Sequence, residues 1–191
     1  DYTHSEQLTL FIQEVISSAN ISLDKVEAIA LSNGPGSFTG LRIGTSVVKG
    51  LCYALDIPLI AISTLKAMAF SINKNENSAI YCPMIDARRM EVFSALYDKN
   101  NNQVRCVQAD IVDENTYADF FLNEVVFFGD GSSKCQEIIN NKNAIFIEGV
   151  YPSAKNLGFL SKEKFENKDF EDVAYFEPYY LKDFVTGKKK N

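Results

Sequence analysis

The chain has 191 residues, 46% of them hydrophobic, with fourteen Phe and nine Tyr, and a formal net charge of −6. That length suits one ordinary domain or two small lobes with a real core. No run of about 18 apolar residues occurs, which excludes a membrane-spanning helix. The polar opening Asp1-Tyr2-Thr3-His4 does not read as a signal peptide, so a cytoplasmic location is expected. An acidic chain makes a poor free-standing nucleic-acid binder, because phosphate contacts need a basic face. The one basic run, Lys188-Lys189-Lys190, reads as a solvated tail.

The first element reads as a helix capped by Ser5, with Leu8, Phe11, Ile12, Val15, Ile16 and Ala19 forming an amphipathic stripe. Residues 26–32 read as a strand that is apolar on both faces. A Gly-rich turn leads into a second helix over about 40–55, ended by Asp56-Ile57-Pro58. A short buried strand at 59–62 and a third helix, capped by Ser63 or Thr64 and reaching about residue 72, follow. This alternation implies a parallel sheet with helices packed on it. The polar break Lys74-Asn75-Glu76-Asn77 marks a lobe boundary, which divides the chain into 1–77 and 78–191.

Beyond it, 79–86 and 91–97 read as a hairpin around Ala87-Arg88-Arg89, joined through an Asn-rich turn to a strand at 104–108. A helix (114–122), a strand (125–128), a helix (133–140), a strand (144–147) and a last helix from Pro152-Ser153 to about 165 complete the pattern. Meander, helix, strand, helix, strand is the layout of a ribonuclease-H-like lobe. The second half shows it whole, with a C-terminal tail. The first half shows only its later part, without an opening meander.

The most informative stretch is Gly34-Pro35-Gly36-Ser37-Phe38-Thr39-Gly40-Leu41-Arg42-Ile43-Gly44, which follows a strand and opens a helix. Helix N-termini in that position attract anions. The spacing G-x-G-x-x-x-G is not the dinucleotide pattern, and no Lys-Ser/Thr follows as in a Walker A loop. On spacing, a tight turn with Ser37 or Thr39 as N-cap is the favoured reading. The helix carries Gly40, Gly44 and Gly50, each costing about 1 kcal/mol relative to alanine. Gly40 and Gly44 share a face that another backbone could approach. Its apolar residues, including Leu41, Ile43, Val47, Val48 and Leu51, span about 200° at 100° per residue. One sheet needs a narrower stripe. The surplus implies a second contact: the Leu8–Ala19 helix, a partner chain, or both.

His4 is the only histidine, so paired metal-binding histidines are impossible and a Ser-His-Asp triad is remote. No two of Cys52, Cys82, Cys106 and Cys135 lie within ten residues of each other, which argues for reduced, mostly buried thiols rather than a zinc knuckle. Asp86, Arg88, Arg89 and Glu91 cluster at the hairpin turn. They read as structural ion pairs rather than an acid/base set.

The eleven-residue segment 34–44 closely resembles the signature of the TsaB (YeaZ) family. His4-Ser5-Glu6 resembles the H-S segment of that family. Ile85-Asp86-Ala87-Arg88 with Glu91-Val92-Phe93 resembles its "DAR…EVY" hairpin, with Phe93 replacing the usual Tyr. Pro178-Tyr179-Tyr180-Leu181 resembles its C-terminal element. The resemblance runs along the whole chain. It implies an α/β, actin-like ATPase fold of two ribonuclease-H-like lobes, and a role in forming N6-threonylcarbamoyladenosine in tRNA. It implies a non-catalytic scaffold that docks on the TsaD-type catalytic subunit through its first two helices, and that self-associates as a homodimer through the same surface when alone. His4, Leu8, Phe11, Ile12, Val15, Gly40, Gly44, Val47, Val48 and Leu51 are the partner-binding residues this implies. It assigns no cofactor to this chain: ATP and a metal belong to partner subunits, including a TsaE-type ATPase, and tRNA is met indirectly. The family begins with strands carrying a D-T-S segment. This sequence starts after them, so the first lobe is expected to be N-terminally incomplete, with an unpaired sheet edge. Two other readings stay open: an independent sugar-kinase-like or peptidase-like enzyme of the same superfamily, and a homodimeric module with no link to tRNA.

Overall fold

Strand pairing arranges this chain into two sheets. The structure, a computed structural model, describes residues 4–72 and 79–182, with side chains from Gln7 onward. The expected lobe boundary at 74–78 and the 188–190 lysine run lie outside the described residues.

The second sheet is the larger. Strands β3 (Ile80–Asp86), β4 (Glu91–Tyr97) and β5 (Gln103–Ile111) form an antiparallel meander, and β6 (Val125–Phe128) and β7 (Ala144–Ile147) extend it in parallel from β3. The order β5-β4-β3-β6-β7 is the ribonuclease-H-like order that the element pattern implied. All four residues of β6 are buried, as a strand covered on both faces requires.

The first sheet contains β1 (Ile29–Gly34) and β2 (Leu59–Ser63), paired in parallel with Ile29 opposite Leu59. This strand starts three residues later than its apolar pattern suggests, because β2 sets where pairing can begin. Among the described residues, the edge of β1 opposite β2 carries no strand. Helices α1 (His4–Ser18), α2 (Phe38–Leu55) and α3 (Thr64–Ser71) form where expected, except that Ser5 lies inside α1 rather than capping it. Ser37 caps α2 by accepting from Gly40 N, and Ser63 caps α3 by accepting from Lys66 N, both at 3.4 Å. Asp56 ends α2 in the left-handed conformation.

Two expected helices are replaced by short 3-10 turns, at Ala118–Phe120 and Ser133–Cys135. In the first, the Asp113 carboxylate accepts from Asn115 N and from the Thr116 hydroxyl, which in turn accepts from Asp113 N. Such local side-chain bonds compete with a helical backbone. In the second, the backbone bonds close over three residues, from Cys135 N to Ser132 O and from Gln136 N to Ser133 O.

The chain's last part also departs from the expected division. Helix α4 (Ala154–Glu166) packs on β1, β2 and α3, with Leu157 against Ile60, Ile62 and Ala67. Glu171 N then bonds Leu59 O at 2.9 Å, and Phe176 joins Val48, Cys52 and Leu59. Residues 154–182 therefore cover the first sheet rather than stay with the second. The reason is that β2 is apolar on both faces and α2 covers only one of them.

Gly50 sits inside α2 with nothing within 4 Å of where a Cβ would stand. Gly50→Ala is expected to stabilise the fold by about 0.5–1 kcal/mol through helix propensity and reduced freedom of the unfolded chain. A urea-denaturation midpoint that fails to rise would count against this.

Candidate docking face and glycine loop

The glycine loop is fixed by the C-terminal segment. Gly34 has φ +113°, reached easily only by glycine, and a Cβ there would stand 2.7 Å from Tyr179 O. Tyr179 N donates to Asn33 O at 2.7 Å, and the rings of Phe38 and Tyr180 lie 4.6 Å apart. The Gly34-Pro35 bond is cis. Pro178-Tyr179-Tyr180 is thus a structural part of the loop, a link that no spacing rule in the sequence exposes.

Pro35, Gly36 and Ser37 line a cleft of about 370 Å3 with Ser32, Thr64, Ile85 and Asp130. Asp130 is the only charged residue of that lining, so a phosphate there would meet a like charge. Ser32 and Thr64 satisfy each other across it at 2.5 Å. Asp130 lies in Gly129-Asp130-Gly131, and its carboxylate accepts from Asp86 N at 3.1 Å. The signal for this turn is a G-x-G at the end of a strand.

The wide apolar arc of α2 has two covers. One flank rests on the sheet, where Val48 packs with Cys52, Leu59 and Ala61. The other flank carries α1, for which α2 is the one element met extensively among the described residues. Ile12, Ile16, Val47 and Leu51 line a largely apolar groove of about 620 Å3 between the two helices. Leu8, Thr39, Gly40, Ile43 and Gly44 line a second groove of about 520 Å3. Phe11 and Val15, 60% and 65% exposed, lie within about 60° of Leu8 around α1. His4 opens α1; its side chain lies outside the described residues.

One expected partner-binding residue needs correction. Val48 is 6% exposed and belongs to the core, because it sits about 100° round the helix from Val47. Gly44 lines the second groove and also borders the sheet, where a Cβ would touch Leu31 Cδ1 at 3.4 Å. Among the described residues, no backbone approaches the shared face of Gly40 and Gly44 within this chain.

The hairpin cluster forms ion pairs, though not with its own arginines. Asp86 pairs with Lys134, and the hydrogen bond from Lys134 is the main cause holding its carboxyl below the usual range. Glu91 pairs with Lys182. Arg88 and Arg89 are exposed, both with positive φ. Cys52, Cys82 and Cys135 are buried free thiols, and Cys106 is exposed. Burial pushes the Cys135 thiol up to about 11 and Cys82 higher still, so neither is a ready nucleophile. No group of His, Cys, Asp and Glu suited to a metal occurs among the described residues.

The ribonuclease-H-like order of the second sheet, beside the parallel β1-β2 pair and its helices, fits the actin-like ATPase class. The family model described as "TsaD: tRNA N6-adenosine threonylcarbamoyltransferase" matches residues 2–189. The chain is 27% identical to the "tRNA threonylcarbamoyladenosine biosynthesis protein TsaB" of Escherichia coli K12, covering 97% of this chain and 84% of that protein. It is 30% identical to the TsaB of Bacillus subtilis 168, covering 94% and 80%. A solved structure, "YeaZ from Pseudomonas aeruginosa", superposes with a TM-score of 0.76 at 24% identity, covering 94% of this chain and 86% of that one. The chain belongs to the TsaB (YeaZ) family.

Proposed function

We propose that this chain is a non-catalytic docking subunit in the formation of N6-threonylcarbamoyladenosine in tRNA, and that it binds a TsaD-type catalytic subunit through α1 and the adjoining face of α2. The observation that carries this reading is the state of α1. It is held chiefly by α2, yet it leaves Phe11 and Val15 exposed beside the groove of Leu8, Gly40 and Ile43. Exposed apolar residues grouped beside a groove are characteristic of protein-binding surfaces. The glycines of α2 allow close approach there. The same face serves a homodimer when the partner is absent. ATP and a metal are then used by the catalytic subunit and a TsaE-type ATPase, and the site of action is the cytoplasm.

Light scattering coupled to size exclusion tests this, with the chain alone and mixed with the TsaD subunit of the same source. A one-to-one complex that replaces any homodimer is expected. Phe11→Asp and Gly40→Leu should each weaken it at least tenfold, about 1.4 kcal/mol. At Gly40 an added Cβ meets only Ser37 atoms, at 3.6 and 3.7 Å, so the fold should tolerate the change. At Gly44 a leucine would also press on Leu31, so that substitution would test packing and docking together. Absence of a complex with native protein would overturn the proposal. ATP turnover by the chain alone would favour an independent enzyme.

A further inference from the structure

On the side of α2 away from α1, Phe38, Arg42, Thr45 and Lys49 face the C-terminal segment across a pocket of about 460 Å3. These positions centre roughly 160° around the helix from the flank that carries α1, so the inference stands apart from the docking proposal. Three cations, Arg42, Lys49 and Lys182, line the pocket against one carboxylate, Glu177, in a chain whose net charge is −6.

The cations are held differently. Lys182 is paired with Glu91. Lys49 Nζ donates to the carbonyls of Ala174 and Phe176 at 3.0 and 3.1 Å, which positions the ammonium without neutralising it. Arg42 lies over the Phe38 ring, 5.3 Å from its centroid, and has no carboxylate partner among the described residues. Arginine on an aromatic face keeps its donor edge available for an oxyanion.

Thr45 supplies an independent observation. It lines the pocket, is 7% exposed, and its hydroxyl has no hydrogen-bond partner. Threonine inside a helix commonly gives that hydroxyl to the carbonyl four residues back. Thr45 does not. Buried hydroxyls without a partner are costly to keep.

We infer that this pocket binds a phosphate group carried on a nucleoside. Arg42 and Lys49 supply the charge and Thr45, after a side-chain rotation, a hydrogen bond. The Tyr180 ring, packed on Phe38, offers surface to a base. The volume suits a single nucleotide unit. That unit comes either from a free nucleotide or from an RNA strand.

Backbone-amide NMR of the whole chain, titrated separately with inorganic phosphate, AMP and a tRNA transcript, tests this. Saturable shifts confined to residues 42–49 and 176–182 are expected. Arg42→Gln and Lys49→Gln should each raise the apparent Kd at least tenfold. Lys155→Gln, the same charge change on exposed α4, should leave it unaltered. Thr45→Val separates a ligand role from a structural one: it should weaken binding while the melting temperature holds or rises, since a partnerless hydroxyl has been removed. Shifts with AMP support a free nucleotide. The same shifts with tRNA alone support an RNA strand. Shifts with inorganic phosphate as strong as with AMP would overturn the part assigned to the ring. No shifts with any probe, or shifts that Arg42→Gln leaves intact, would overturn the site.

Discussion

Asp110→Ala is expected to cost about 3–5 kcal/mol, the range for breaking a buried ion pair from one side. Asp110, 8% exposed, lies on β5. Its carboxylate accepts from Arg105 and from the Ser94 hydroxyl, both at 2.5 Å, and from Tyr117 OH at 2.9 Å. Burial alone would lower the Arg105 pKa, but the hydrogen bond and charge of Asp110 outweigh it, and the guanidinium ends above its ordinary value. Removing the carboxylate strands that charge with its Nε already unpartnered. It also takes an acceptor from two buried hydroxyls, although Ser94 and Tyr117 remain 3.2 Å apart and can pair. At roughly 2–4 °C per kcal/mol for a chain of this size, the melting temperature should fall by about 6–20 °C. Arg105→Met in the Asp110→Leu background should recover most of the loss, because an apolar pair removes the stranded charge. A single Asp110→Ala that melts within a degree or two of the native protein would show that the network carries little stability.

Gly129→Ala is expected to cost about 2–6 kcal/mol. Gly129 adopts φ +103°, where a side chain adds strain of about 1–3 kcal/mol. A Cβ there would stand 2.2 Å from Met84 O, a backbone atom of the central strand, and 2.8 Å from Met68 Cε. Relief needs movement of β3 itself, adding about 1–3 kcal/mol. Gly149 is the natural control, since its φ is +77° but nothing lies within 4 Å. Gly149→Ala should show the conformational cost without the collision. Equal urea midpoints for the two variants would remove the collision from the account.

The second sheet was legible because its strands are short apolar runs separated by turn residues. The hairpin at Ala87-Arg88-Arg89 and the Asn-rich turn bound β4 as expected, whereas β5 runs over Gln103–Ile111 instead of 104–108 and pairs with β4 through two register shifts that no turn residue announces. The connections after β5 were not legible, because Asp113 and Thr116 divert the backbone through local bonds that an apolar pattern does not reveal. For the site, the loop and the cap at Ser37 could be read from residue types and spacing. The placement of Val48 in the core needed the helix's actual orientation, since a wide apolar arc alone does not say which edge meets the sheet. The pairing of Asn33 with Tyr179 joins positions far apart in sequence, and no local signal connects them.

The return of residues 154–182 to the first sheet bears on how the protein is made. The strands of the second sheet lie close together along the chain, so their pairing can begin as soon as that stretch leaves the ribosome. The first lobe cannot close at that point. Its outer helix, the anchor of its glycine loop and the aromatic cover over α2 all follow β7 in the chain. Until they arrive, β2 and the beginning of α2 have apolar surface open to water. The first sheet is therefore covered only after the second has been made, and that interval leaves its apolar surface open to aggregation.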